Sequence, residues 1–101
     1  QLKKIDKNKI FELCALYENL ENIKWLFKNK FPHNDKVFVK AAENGNLENM
    51  KWLFQNNFTY DEYTFVYAVG NINLGNIKWL LKNKFPYDTY VCKKLRKHKI
   101  L

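Results

Sequence analysis

The chain has no serine, and among its 101 residues are only three glycines, two prolines, two cysteines and one arginine. Each shortage closes off a class of chemistry. Without serine there is no serine nucleophile, and the hydroxyls of Thr59, Thr64 and Thr89 have no neighbouring histidine to activate them. Gly45, Gly70 and Gly75 form no phosphate-cradling loop. His33 and His98 lie far apart and have no ligand spacing to Cys14 or Cys92, so no metal site and no cofactor is expected. No apolar run approaches about 18 residues, which excludes a membrane-spanning helix. No basic-then-apolar leader opens the chain, so a cytoplasmic setting with reduced thiols at Cys14 and Cys92 is expected. Paired acids such as Asp61 and Glu62 are accounted for by helix capping rather than acid–base work, and the chain is expected not to be an enzyme.

What is abundant is lysine, aromatic residues and repetition. Aromatic residues make up 17% of the chain and apolar residues 47%, enough to bury a core. Seventeen lysines and fourteen asparagines fit an AT-rich coding genome as well as they fit a basic partner. The net charge is +8, and five of those charges fall in the last nine residues.

The repetition is the strongest signal. Asn19–Phe27, Asn46–Phe54 and Asn73–Leu81 are near-copies, and Trp25, Trp52 and Trp79 stand 27 residues apart. Phe11, Phe38 and Phe65 share that register, as do Phe31, Phe58 and Phe85. A fixed period of this size means stacked supersecondary units. Each copy divides into two apolar-periodic segments. The first runs over about 9–17, 35–44 and 62–70. At 100° per residue, Val37, Ala41 and Ala42 share a side with Phe38, while Lys36, Lys40 and Glu43 face the other way. Asn34, Asp61 and Asp88 precede these segments and suit helix N-caps, as Asn19, Asn46 and Asn73 do for the second segments. Gly45 supplies a left-handed turn between the two helices of the second copy, where Glu18 and Ile72 stand in the others at a cost of about 1 kcal/mol each. In the second segment Leu47, Met50, Leu53 and Phe54 form the apolar face, and Glu48, Lys51 and Gln55 a polar stripe.

Ala41-Ala-Glu-Asn-Gly-Asn-Leu-Glu-Asn-Met-Lys-Trp-Leu53 resembles the ankyrin repeat: a first helix ending Ala-Ala, a glycine turn, then Leu-Glu-x-x-Lys-x-Leu-Leu. The Lys-Trp-Leu wording and Phe85-Pro-Tyr-Asp88 look like the divergent arrays of giant DNA viruses and some protists. The resemblance covers residues 9–101. It implies an all-α solenoid of stacked antiparallel helix pairs. The period departs from the family's usual length of about 33, and no copy keeps its Thr-Pro-Leu-His opening. Shortened loops without projecting β-hairpin fingers are therefore expected.

The expected organisation is an N-terminal extension or degenerate cap over 1–8 and a repeat domain over 9–101. Its copies fall at about 6–32, 33–59 and 60–86, with a C-terminal capping half-repeat over 87–101. Modules of this kind bind proteins through the concave surface of their first helices. The outward positions there include Lys36, Lys40 and Glu43 in copy two, Tyr63 and Tyr67 in copy three, and Tyr90, Lys94 and Lys97 in the last. Tyrosine is enriched at interface hot spots, and the flanking lysines point to an acidic protein partner. A second class of function is nucleic-acid binding by Lys93, Lys94, Arg96, Lys97 and Lys99 beside Tyr87 and Tyr90. Lysine without arginine gives phosphate attraction but little base readout, and a solvated cap explains the same residues. A third is a structural part of a larger assembly, in the host-cell cytoplasm or the virion of a virus. No membrane and no small-molecule substrate is expected.

Overall fold

In the computed structural model, residues 6–17, 19–70 and 73–100 are described. Among them every regular element is a helix: α1 (Lys7–Tyr17), α2 (Leu20–Lys28), α3 (Lys36–Asn44), α4 (Leu47–Gln55), α5 (Thr64–Ala68), α6 (Leu74–Lys82) and α7 (Thr89–Lys97). None of them is long and apolar enough to cross a membrane. The first-segment helices pack in a file, α1 on α3, α3 on α5 and α5 on α7. Each of the first three also packs on the second-segment helix that follows it, and α2 packs on α4. The molecule is elongated, 50 × 27 × 19 Å.

The second-segment helices begin and end in the same way. Asn19, Asn46 and Asn73 are extended N-caps whose Oδ1 atoms accept from the backbone N–H of Asn22, Asn49 and Asn76 at 3.3, 3.1 and 3.1 Å. At the other end Asn29, Asn56 and Asn83 donate through Nδ2 to the carbonyls of Trp25, Trp52 and Trp79, each at 2.8 Å. The chain then swings into the left-handed region at Lys30, Asn57 and Lys84, with φ of 58°, 62° and 59°. This lets the N–H groups of Phe31, Phe58 and Phe85 reach back to the carbonyls of Leu26, Leu53 and Leu80 at 3.0 Å. That is a Schellman stop, with the closing phenylalanine folded over the last turn.

First-segment helices are capped less uniformly. Asp88 accepts from the N–H of Val91, as an N-cap should, at 3.0 Å. Asn34 and Asp61 instead accept from Lys36 and Tyr63, two residues on, which makes a turn ahead of the helix rather than a cap. Gly45 ends α3 in the left-handed conformation at φ 83°. The matching positions Glu18 and Ile72, and Leu2 to Ile5 of the extension, lie outside the described residues. Helix α1 begins at Lys7, inside the stretch read as an extension. Helix α5 covers only Thr64–Ala68, shorter than its 62–70 pattern.

The core is one continuous cluster. Phe11, Phe38 and Phe65 are fully buried, with Ile23, Met50, Leu53, Ile77 and Leu80 from the second-segment helices and Val91 and Leu95 from α7. An aromatic cluster joins copy one to copy two and recurs between copies two and three. Within copy two His33 lies over Phe58 at 4.3 Å and 31°, and within copy three Tyr60 lies over Phe85 at 4.3 Å and 32°. Phe27 meets Trp52 edge-on at 5.2 Å, and Phe54 meets Trp79 at 5.4 Å. Trp25 differs: it is 57% exposed, and its ring contact is with Phe31 of its own copy. Cys14 and Cys92, at slots whose residues in other copies are buried, are half-buried and joined in no disulfide, and the helices that carry them are the outermost of the file.

Candidate partner-binding surface

The outward side of the first-segment helices is built by default. Phe11, Phe38, Phe65, Ala15, Ala41, Ala42 and Ala68 turn inward, so residues three and four apart on the opposite side are left facing solvent. Helices α1, α3 and α5 then hold Lys36, Lys40, Glu43, Tyr63 and Tyr67 around one groove of about 300 Å³, joined by Lys9, Glu12, Val39 and Asp61. Tyr63 and Tyr67 are 54% and 48% exposed. Beside it, a recess of about 280 Å³ is lined by Lys9, Glu12, Leu13, Leu16 and Lys40. Leu13 is half-exposed there.

Tyr90, Lys94 and Lys97, also outward on the sequence reading, are not in that groove. They sit on α7, with Tyr90 exposed and the Lys94 ammonium 5.9 Å from the centre of its ring. Lys93, Arg96, Lys97 and Lys99 are exposed around the same helix, whose apolar side is only Val91 and Leu95. Lys94, Arg96 and Lys97 occupy its last turn, where cations are favoured by the helix dipole. Tyr87 leans on Phe65 at 5.5 Å.

The charge of the groove departs from the sequence reading. Lys9 pairs with Glu12 at 3.8 Å and Lys40 with Glu43 at 3.7 Å. Together with Lys36 and Asp61 the lining carries three cations and three acids, so it is balanced. The positive field expected to draw an acidic partner is concentrated at α7 instead.

Two features of the surface were missed. Glu12 is only 5% exposed, a carboxylate tucked beneath the groove beside Lys9. Asn76 is 2% exposed and donates through Nδ2 to the carbonyl of Gly45, tying α6 to the turn of the preceding copy. Its signal was in plain view: Asn22, Asn49 and Asn76 recur at one slot of each copy. Among the described residues no group of three or more His, Cys, Asp or Glu could hold a metal ion. Comparison of the chain with protein-family models, with curated proteins and with solved structures finds no match.

Proposed function

We propose that the chain is a non-catalytic protein-interaction module, an ankyrin-like solenoid that holds a partner protein on the outward side of its first-segment helices. The observation that carries the reading is the exposure of Tyr63, at the start of α5, Tyr67, on it, and Tyr90, on the neighbouring α7, each about half exposed. Packing does not call for a large aromatic ring at an exposed position. A broad ring with a polar tip is what interface hot spots use. The partner supplies apolar or aromatic anchors to the charge-balanced groove at Tyr63 and Tyr67, and acidic residues toward Lys94 and Lys97. Cys14 and Cys92 are joined in no disulfide, which fits a reducing compartment, so the cytoplasm is the proposed setting.

The test is a peptide selection on the immobilised chain, followed by affinity measurements on variants. Tyr67→Ala is expected to weaken the selected ligands about tenfold, or about 1.4 kcal/mol. Lys78→Ala, on the second-segment side, should leave them unchanged. Ligands that bind Tyr67→Ala normally and lose affinity with Lys78→Ala would move the protein-binding face to the other side of the molecule.

A further inference from the structure

The net charge of the chain is not spread evenly over its two layers. The windows that hold α2, α4, α6 and the turns after them, 19–32, 46–59 and 73–86, carry seven lysines and only two acids, Glu21 and Glu48. The first-segment windows 6–18, 33–45, 60–72 and 87–101 carry eight lysines, Arg96 and the remaining eight acids. The layers therefore have formal charges of +5 and +1, with the acids sorted to the first-segment side. A lysine-rich genome raises lysine everywhere and does not sort acids to one side. Lys24, Lys28, Lys51, Lys78 and Lys82 on these helices are all exposed, as are Lys30 and Lys84 in the left-handed turns.

Set into this basic layer is a groove of about 410 Å³ between α4 and α6, lined by Lys51, Phe54, Gln55, Trp79, Lys82 and Asn83. Its aromatic floor is the Phe54–Trp79 pair, with ring centres 5.4 Å apart at 84°, both half-buried. Two ammonium groups and two amides surround that floor. One copy earlier the floor recurs as Phe27 and Trp52 at 5.2 Å and 87°, with Lys24 and Lys28 at the slots of Lys51 and Gln55. Cation, aromatic face and amide, repeated at a fixed step, match a polymer that carries regularly spaced phosphates and planar groups.

We infer that the second-segment face binds single-stranded nucleic acid, with phosphates on Lys51, Lys78 and Lys82 and an unpaired base against the Phe54–Trp79 floor. Unstacked bases use aromatic side chains as platforms whatever their sequence, and lysines track the backbone. A duplex offers phosphates but keeps its bases stacked away from the floor. A membrane surface needs apolar rings that protrude along its whole length; Trp25 protrudes at one end, but Trp52 and Trp79 are held edge-on by the phenylalanine of the preceding copy. This surface is separate from the cluster on α7 and from the tyrosine groove, so the two activities can be lost independently.

The intrinsic tryptophan fluorescence reports on the site, because Trp79 lies in it. Titration of the full chain with a short oligothymidylate at low salt should quench that fluorescence. The affinity should fall with salt on a log–log slope of about −2 for three phosphate contacts, at about 0.7 per contact on single strands. Lys51→Gln with Lys82→Gln should weaken binding about tenfold or more and reduce the slope by about 1.4. Lys93→Gln with Arg96→Gln should change affinity less than about twofold, and Tyr67→Ala likewise. Circular dichroism checks that each variant is folded, and all five residues are exposed or half-exposed. No quenching at low salt would overturn the inference, as would equal affinity for a duplex of the same length. So would loss of binding confined to the α7 pair, or binding to phosphatidylserine vesicles with none to oligothymidylate.

Discussion

Thr64 stands at a slot held by Val37 one copy earlier and Val91 one copy later. All three are fully buried, and the Thr64 hydroxyl has no hydrogen-bond partner among the described residues. A buried polar group left unpaired costs about 1–3 kcal/mol. Thr64→Val removes that cost while keeping the shape, so it should stabilise the chain by about 1 kcal/mol, read as a rise in the urea midpoint at unchanged slope. Unchanged or lowered stability would mean the hydroxyl does find a partner. Residue-scale packing was legible in the sequence where a slot is the same in every copy. Phe11, Phe38 and Phe65 were read as core and are fully buried. Pairings of rings distant in sequence were not legible. That His33 and Tyr60 share one stacking role depends on the fold bringing the closing phenylalanine of the same copy back over them, and a one-dimensional pattern does not say.

At the scale of the element, each second-segment helix is bounded by asparagine at both ends, and the N-caps were readable because cap chemistry is local. The C-terminal stops were not read. Lysine is a poor marker of a left-handed residue, yet Lys30 and Lys84 hold φ near 60°. A non-glycine residue there is strained by about 1 kcal/mol. Lys84→Gly should relieve this and raise stability by about 0.5–1 kcal/mol, less the greater entropy of glycine in the unfolded chain. Lys84→Val should lower it, because a β-branched residue resists that region. Equal melting temperatures for the two variants would show that the turn is not held left-handed in solution. The shortness of α5 has a related cause. Gly70 occupies the slot of Glu43, the last turn of α3, and glycine weakens a helix interior by about 1 kcal/mol.

For the whole molecule, the all-helical character and the division into paired segments were legible, since a period of 27 residues fixes both which stretches are equivalent and how they must meet. The division of charge was not. Charges were counted along the chain, where lysines gather at the C-terminus, rather than by layer, where all the acids but Glu21 and Glu48 fall on the first-segment side. The candidate protein-binding groove was located by face, but its salt bridges, Lys9 to Glu12 and Lys40 to Glu43, made it neutral where an acidic partner had been read.

The two aromatic junctions agree within 0.2 Å and 3° in their paired distances and angles. Residues 33–59 therefore carry both halves of one joint, the half that receives the preceding copy and the half that offers itself to the next. Such a segment can be duplicated in the gene without breaking either joint. A second copy of residues 33–59 spliced between Thr59 and Tyr60 should lengthen the particle by about one helix layer, roughly 8–10 Å, measured by small-angle scattering. Each added joint contributes its own neighbour term, so the longer chain should also melt at a higher temperature. A lower melting point would show that the joints are matched to their particular neighbours. If they are interchangeable, the length of this protein is a heritable variable, open to change by unequal exchange between its own repeats.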